Sequence, residues 1–345
     1  MVSLQASQVA KLRVFSNLLN GNQWGSAGGN VPLSPPCDQV TLKSYLESEQ
    51  KRVRSRLERR INASKRIFRL FGLHRVFHEI NAFVETDADV LFSYLSSQTE
   101  IFLRRTMDAD QASASEQITT LIELLQGRLQ VKSHKLHQQP CSSMTTAKRA
   151  ALIAEYLTPA STVLCLGDDD FVSVALASTV GNEVTVIDLD RQVLSIIEEI
   201  SRDQNLRITT HLADICRPLP PPLLSAFDVV VTDPIYFVRD MMNFLSAAEQ
   251  CLSKSAGAAL LSCCSRALAG PAWRTVEDWA RSRSLAAERY LDGFNEYPKP
   301  VRTQTLLTLG ERLFCRTPLT RACLAIPDAF SDVVVFRRIK EGESS

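Results

Sequence analysis

The chain has 345 residues, 45% of them hydrophobic and 22% charged, which is the composition of an ordinary globular protein with room for two domains. Its 39 Lys and Arg nearly balance its 38 Asp and Glu, which excludes a uniformly basic nucleic-acid-binding surface and an acidic disordered chain. The two signs are nevertheless unevenly distributed. Residues 1–145 carry 18 basic and 13 acidic side chains, whereas residues 146–345 carry 21 and 25, so a basic part precedes an acidic part.

The N-terminal part of the chain predicts a leader followed by helices. The first 37 residues contain no Asp or Glu, which is typical of a disordered leader, with an organelle transit peptide as the alternative. Further on, apolar residues recur at helical spacing, as in SEQITTLIELLQGRLQ. We therefore predict a leader over 1–37 and a small helical accessory domain, with a winged helix as one form of it, over 38–137. Its Lys and Arg are interpreted as a solvated helix face rather than a nucleic-acid contact.

The nine Cys form no CxxC pair and lie apart from the five His, so neither a disulfide framework nor a metal site is predicted. Cys165 and the pair Cys263-Cys264 lie in apolar runs, which is typical of buried thiols in a reducing compartment. No apolar run reaches about 18 residues, the length that a membrane helix needs. We expect a cytoplasmic protein without metal or membrane contact, organelle import being the alternative that the acid-free N-terminus allows.

From residue 138 to the C-terminus, apolar runs of strand length alternate with helical patterns. The runs are 162–167, 184–190, 227–234 and 257–264, and residues 207–214 alternate like a strand. Buried strands that alternate with helices predict a parallel, doubly wound sheet, here an α/β, Rossmann-like catalytic domain over 138–345. Ligands of such sheets bind at the carboxyl ends of the strands.

The first strand ends in Gly167-Asp168-Asp169-Asp170. A glycine allows a ligand to approach the backbone, but three acids would repel the pyrophosphate of a dinucleotide or the carboxylate of S-adenosylmethionine. They would attract an aminopropyl or polyamine cation, with about 1–4 kcal/mol for each close charge pair. Asp170 could instead merely cap the next helix, which leaves two acids to contact a ligand.

The second and third strands also end in acids. Asp188 follows Gly167 by about 20 residues, the position at which Rossmann-type sites bind ribose hydroxyls. Asp190 is the expected cap of the following helix. Asp214 is interpreted as an acceptor for an adenine amino group or, equally, as a turn residue.

The fourth strand ends in Asp233-Pro234-Ile235-Tyr236. This arrangement presents a carboxylate and an aromatic ring to an incoming amine, which needs its N–H groups held so that its lone pair faces the electrophile. A turn that simply ends the strand is the alternative.

The segments LGDDDFVSVALA, VIDLD, ADICRPLP, FDVVVTDPIY and FNEY together resemble the branched-chain polyamine synthases, the N4-bis(aminopropyl)spermidine synthase family. The resemblance covers roughly residues 138–300. It implies a small winged-helix domain joined to a Rossmann-like, methyltransferase-type catalytic domain, with no tightly bound cofactor. It also implies transfer of aminopropyl groups from decarboxylated S-adenosylmethionine, the co-substrate, to a polyamine nitrogen. The family motif GDDD is complete, whereas DPPY is present as DPIY, with Ile235 in place of the second proline.

Roles for the acidic residues follow from the resemblance and from their charge. Asp169 or Asp170 is expected to deprotonate the amine, because crowded carboxylates raise each other's pKa. Asp233 and Tyr236 are expected to hold the acceptor during transfer, and Glu296 of FNEY is expected to bind another ammonium group. For Asn295 and Tyr297, local loop structure is the alternative to a place in the site. The predicted donor-binding residues are Gly167, Asp168, Asp188 and Asp214, and the predicted acceptor-binding residues are Asp233, Pro234, Tyr236 and Glu296. The expected partner is a polyamine, not a nucleic acid, and a homodimer is allowed.

Two other functions remain open. Acid–Pro–x–aromatic motifs also occur in S-adenosylmethionine-dependent N-methyltransferases, although an uncharged first turn would suit methyl transfer better than GDDD. A non-catalytic homologue that binds a polyamine or nucleoside is the second alternative, because Ile235 departs from the family motif.

Overall fold

The structure, a computed structural model, describes a few helical positions between Tyr94 and Arg105 and then residues 116–129, 140–236, 238–298 and 328–339. The chain divides into two units, Met1–Gln111 with Lys299–Asp328, and Ala112–Pro298 with Ala329–Ser345. Almost all described residues belong to the second unit. The predicted leader and most of the predicted accessory domain lie outside the described residues.

In the part of the chain that the structure describes, the second unit is built on one mixed sheet of seven strands. In chain order the strands are β1 (Thr162–Leu166), β2 (Glu183–Asp188), β3 (Ile208–Leu212), β4 (Val229–Thr232), β5 (Ala259–Cys264), β6 (Leu285–Pro298) and β7 (Asp328–Arg338). The helices are α1 (Glu116–Arg128), α2 (Ser143–Ala154), α3 (Val172–Val180), α4 (Arg191–Asp203), α5 (Val238–Cys251), α6 (Arg266–Ala269) and α7 (Trp273–Arg281).

The strand order is β3-β2-β1-β4-β5-β7-β6. Strands β1 to β5 pair in parallel, and β7 pairs antiparallel with β5. The chain leaves β1 toward β2 and β3, then returns to place β4 on the other side of β1. A crevice forms at the carboxyl ends of two adjacent parallel strands when the connections that follow them run to opposite sides of the sheet. Strands β1 and β4 form that switch point here. The predicted doubly wound, Rossmann-like sheet is confirmed.

Helices cover both faces of the sheet, which explains why its central strands β1, β4 and β5 are largely apolar. Val163 and Cys165 of β1 belong to one buried cluster, and the alternate residues Leu164 and Leu166 belong to another. Side chains of a strand point alternately to the two faces, so a strand covered on both sides has no polar face. The first cluster includes residues of α1, α3 and α4, and the second includes residues of α5 and α7.

Helix α1 belongs to a different domain from the one that the sequence predicted. The sequence pattern predicts this helix as part of the accessory region that ends at residue 137, but Ile122 and Leu125 are buried in the first core cluster of the sheet unit. The unit accordingly begins at Ala112 rather than at residue 138. Helical periodicity fixes which face of a helix is apolar, and does not fix which core that face joins.

Within the described residues, no helix combines the length and the apolar character needed to cross a membrane.

Candidate active site

The GDDD turn lies at the switch point between β1 and β4. Gly167 follows β1 with φ of 76°, a conformation that costs a side-chain-bearing residue about 1–2 kcal/mol. Its amide donates to the Ile187 carbonyl at 2.8 Å, which ties the turn to β2. The three acids after it therefore start from the centre of the sheet edge, yet their carboxylates have three different environments.

The Asp168 carboxylate binds the first turn of helix α3, which follows it in the chain. Its carboxylate accepts the amide of Val172 at 2.7 Å and the amide of Ser173 at 3.2 Å, at the start of α3. Burial raises the pKa of Asp168 to about 8, although these hydrogen bonds act in the opposite direction. The helix-capping role that the sequence allows for Asp170 thus belongs to Asp168. On the side of β2, Asp168 contributes its backbone amide, which donates to Asp188 Oδ2 at 2.9 Å.

Asp170 is held by two buried donors. One oxygen accepts the Cys141 amide at 2.5 Å, and the other accepts the Arg149 guanidinium at 2.5 Å. Its side chain is 3% exposed. Burial raises the pKa of Asp170, while the positive charge of Arg149 lowers it. A carboxylate fixed on both oxygens is poorly suited to leave its partners and remove a proton, so of the two predicted bases Asp170 has the weaker geometry.

Asp169 differs from its two neighbours. Within the described residues, no hydrogen bond reaches its carboxylate, although the side chain is only partly exposed. Burial raises the pKa of Asp169 well above its ordinary value, and the nearby charges of Asp170, Asp233 and Asp188 raise it further. A carboxylate without a protein partner and with a raised pKa is a stronger base than a solvated one.

Asp233 follows β4 and is fixed by three side chains. Its Oδ2 accepts Arg149 Nη2 at 2.8 Å and the Tyr297 hydroxyl at 2.6 Å, and its Oδ1 accepts the Tyr236 hydroxyl at 3.0 Å. Oδ1 therefore keeps a lone pair for another donor. Pro234, which is buried, and Ile235 lie between Asp233 and Tyr236 in the chain. The turn that they form lets the Tyr236 hydroxyl reach the Asp233 carboxylate.

Two tyrosines meet beside this carboxylate. The hydroxyls of Tyr236 and Tyr297 are 2.5 Å apart, and Tyr236 also contacts Ser331 Oγ on β7 at 2.8 Å. Burial raises the pKa of both tyrosines well above the ordinary value, so both stay neutral near pH 7.

Two of the carboxylates predicted to bind the donor, Asp188 and Asp214, lie at the ends of β2 and β3. Asp188 accepts the amides of Asp168 and Asp190, and its oxygens retain lone pairs for hydroxyl donors. Asp190 caps α4 through the Gln192 amide at 2.8 Å, as predicted. Asp214 is engaged locally with the Cys216 amide and with Arg217, which favours its interpretation as a turn residue.

The FNEY segment is part of strand β6 and not a loop. Asn295 and Tyr297 both contact Arg149, through Asn295 Oδ1 at 2.8 Å and the Tyr297 hydroxyl at 2.6 Å. Residues two apart share one face of a strand, so Glu296 between them projects from the other face. Asn295 and Tyr297 therefore belong to the site rather than to a local loop, and the ammonium-binding role of Glu296 stays a prediction.

Arg149 and Ser331 are the residues that the sequence did not single out. Arg149 lies in α2 and is 4% exposed. The sequence feature that could have identified it is its helical spacing from buried residues. Its neighbours at i±3 and i±4, which share a helix face with it, are the buried residues Thr145, Thr146, Leu152 and Ile153. Ser331 has no local signal, because only the pairing of β7 in the sheet brings it to Tyr236.

The acids of this site do not form a metal-binding arrangement. Among the residues that the structure describes, no group of three or more His, Cys, Asp and Glu side chains is arranged to hold a metal ion.

Comparisons with known proteins address the family of the chain. The chain is 32% identical over 155 residues to an uncharacterized protein of Methanocaldococcus jannaschii, over 44% of this chain and 39% of that protein. It is 27% identical over 199 residues to the N(4)-bis(aminopropyl)spermidine synthase of Thermococcus kodakarensis, over 56% of this chain and 55% of that enzyme. The chain thus matches between about two fifths and just over half of the length of these relatives.

A solved structure shares the fold. The branched-chain polyamine synthase from Thermus thermophilus, in complex with N4-aminopropylspermidine and 5'-methylthioadenosine, superposes with a TM-score of 0.56 at 16% identity, over 82% of this chain and 94% of that chain. The family model of the branched-chain polyamine synthase A C-terminal domain matches residues 118–311, more than half of the chain and nearly all of the described sheet unit. The chain therefore belongs to the branched-chain polyamine synthase family, through a C-terminal domain that contains the GDDD turn, the Asp233 motif and the FNEY strand.

Proposed function

We propose that this chain transfers an aminopropyl group from decarboxylated S-adenosylmethionine to a polyamine nitrogen and releases methylthioadenosine. The observation that carries the proposal is Asp169: a carboxylate with a raised pKa and no hydrogen-bond partner among the described residues, at the switch point of the sheet. Family membership supports the same reaction. The related Thermus thermophilus structure contains N4-aminopropylspermidine and 5'-methylthioadenosine, which are the kinds of product that this reaction forms.

On the donor side, Asp188 is the proposed ribose-binding residue. Two backbone amides fix its carboxylate at the end of β2, so its free lone pairs have a defined direction before the ligand binds. The donor lacks the carboxylate of S-adenosylmethionine and ends in an ammonium group. The acidic GDDD turn suits that group, because opposite charges at short range attract each other.

On the acceptor side, Asp233 Oδ1 is the proposed hydrogen-bond acceptor for the reacting nitrogen, and Asp169 is the proposed base. The proton moves from the acceptor ammonium to the Asp169 carboxylate, which frees the nitrogen lone pair. The lone pair forms a bond to the methylene carbon beside the sulfonium. The carbon–sulfur bond breaks, its electron pair returns to sulfur as neutral methylthioadenosine, and the positive charge passes to the new ammonium nitrogen.

Product masses test this proposal directly. The full chain is incubated with spermidine and either decarboxylated S-adenosylmethionine or S-adenosylmethionine, and the polyamine products are weighed by mass spectrometry. The proposal expects one or more added aminopropyl units with the first donor and no change with the second. A gain of one methyl group with the second donor would identify an N-methyltransferase instead. Absence of turnover despite binding of methylthioadenosine would identify a non-catalytic homologue.

A further inference from the structure

Arg149 places a buried positive charge inside a site built from acids. Its guanidinium donates to Asp170, Asp233, Asn295 and Tyr297, so one side chain of α2 joins the ends of β1 and β4 to β6. It is 4% exposed, and no step of the proposed chemistry so far uses its charge.

The two ion pairs of Arg149 involve the carboxylates on either side of the switch point. The nitrogen–oxygen distances are 2.5 Å to Asp170 and 2.8 Å to Asp233, and all three side chains are largely buried. Charges interact more strongly in such surroundings than at a solvated surface. Arg149 therefore compensates two carboxylates, and among the described residues no cation is paired with Asp169.

Apart from carboxylates, the titratable groups that face Arg149 carry no charge near pH 7. Burial raises the pKa of the Cys141 and Cys263 thiols and of the two tyrosine hydroxyls, so these groups are neutral near pH 7. Burial lowers the pKa of Arg149, but the surrounding groups raise it by a larger amount, so the pKa is well above its ordinary value. The carboxylates in contact with it are Asp170 and Asp233, and Asp168 lines the same small cavity.

A nitrogen bound at Asp233 would feel this cation. If an acceptor nitrogen donates to the free lone pair of Oδ1, it lies within roughly 6 Å of the guanidinium that holds Oδ2. A positive charge at that range disfavours an ammonium group and lowers its pKa, whereas the distant ammonium groups of a polyamine are affected less.

We propose that Arg149 is a positioning residue which, through its ion pairs with Asp170 and Asp233, offsets part of the negative charge at the acceptor site, so that the reacting nitrogen loses its proton and becomes nucleophilic more readily. The inference rests on the proposed aminopropyl transfer. It gives the site two electrostatic parts: carboxylates that attract the polyamine, and one cation beside the nitrogen that must lose its proton.

Three variants separate charge from packing. Arg149→Gln removes the charge, Arg149→Lys keeps it with fewer donors, and Arg128→Gln is a matched control that removes an exposed ion pair with Glu199. The values of kcat and KM for spermidine are measured from about pH 6 to about pH 10 with decarboxylated S-adenosylmethionine. We expect Arg149→Gln to move the acid limb of the kcat profile upward by about 1–2 pH units. At neutral pH its KM should fall, because the site is more negative, and its kcat should recover at high pH.

The two remaining variants make the outcome decisive. Arg149→Lys should keep the acid limb of the unaltered protein even if its rate is lower at every pH, and Arg128→Gln should match the unaltered protein. An equal loss of kcat at every pH in Arg149→Gln overturns the proposal, as does an equal limb shift in the Gln and Lys variants. If Arg149→Gln does not fold, the position of the Arg149→Lys limb decides: unmoved supports the proposal, and shifted overturns it.

A measurement without turnover distinguishes this inference from the function on which it rests. Spermidine labelled with ¹⁵N at its internal nitrogen is bound to the full chain with methylthioadenosine present, and the pKa of that nitrogen is followed by NMR. The pKa should be lower by about 1–2 units in the unaltered protein than in Arg149→Gln. Equal pKa values with normal turnover reject the inference alone. A lower pKa without turnover on either donor supports the inference and rejects the proposed transfer.

Discussion

At the scale of single residues, three adjacent acids have three different roles because their backbone positions differ. Asp168 turns back to cap α3, Asp170 meets the Cys141 amide and Arg149, and Asp169 is left without a hydrogen-bond partner among the described residues. The motif GDDD identifies the turn, and the hydrogen bonds around it decide which carboxylate can exchange a proton.

Asp169→Asn should separate activity from stability. Loss of the proposed base should lower kcat by about 100-fold or more. Because burial and neighbouring carboxylates raise the pKa of Asp169, its ionised form is unfavourable in the folded protein, and a neutral Asn should raise the melting temperature near pH 7. Kinetics and thermal unfolding on the same sample measure both effects.

Asp278→Asn is the matched control for this variant. It makes the same chemical change at an exposed residue that is paired with Arg281 on α7. Both its kcat and its melting temperature should equal those of the unaltered protein, since exposed ion pairs contribute little. Unchanged kinetics in Asp169→Asn would remove that residue from the catalytic role.

At the scale of elements, two features position the site residues. One is the face of strand β6 that carries them, and the other is the turn after β1, which requires a glycine. The face of β6 that bears Asn295 and Tyr297 reaches Arg149, and β7 next to it supplies Ser331 to the same network. The antiparallel addition at the sheet edge thus contributes to the site as well as to the core.

Tyr297→Phe tests the contribution of β6. The variant leaves the ring in place but removes the hydroxyl that bonds to Asp233, Arg149 and Tyr236, and it should lower the free energy of unfolding by about 1–3 kcal/mol. Turnover should also fall, because Asp233 loses one of its donors. Tyr290→Phe on the same strand removes a hydroxyl whose contact with Glu277 is 3.5 Å long and lies outside this network, so denaturant unfolding and kinetics should find it close to the unaltered protein.

Gly167→Ala tests the turn after β1. A methyl group would lie 3.6 Å from Phe244, an ordinary contact, so the cost comes from the left-handed backbone and should be about 1–2 kcal/mol of unfolding free energy. Gly127→Ala is the opposite case: it lies in helix α1, nothing lies within 4 Å, and it should stabilise the protein by about 0.5–1 kcal/mol. Chemical denaturation of both variants measures the difference. An equal effect in the two would contradict a backbone cause at Gly167.

At the scale of the whole molecule, a near-zero net charge conceals a buried concentration of acids. Asp168, Asp169, Asp170 and Asp188 follow two neighbouring strands, and the pKa of each is raised, chiefly by burial. A carboxylate with a raised pKa in the folded state holds its proton more tightly there than in the unfolded chain. Its contribution to stability is complete below the unfolded pKa and is lost as pH rises through the folded pKa.

Stability should therefore fall as pH rises. For Asp168 the window runs from about 4, the ordinary pKa, to about 8, the value in the folded protein. Thermal unfolding followed across this range should show a decreasing melting temperature, and Asp168→Asn should flatten the decrease. A melting temperature that rises steadily from pH 5 to pH 8 would contradict the prediction, and the exposed control Asp278→Asn should keep the slope of the unaltered protein.

The sequence by itself determined the sheet, the strand ends and the family. Apolar runs of strand length between helical patterns specify a parallel sheet, and Asp169, Asp188 and Asp233 follow its strands, because these patterns depend on neighbours along the chain. Tertiary structure alone decided that α1 joins this core, that Asp170 is held by Arg149, and that Asn295 and Tyr297 enter the site. Those contacts join residues far apart in the chain, as between Arg149 of α2 and Asn295 of β6. Local patterns show which side chains are buried; only the assembled sheet decides which buried charges meet.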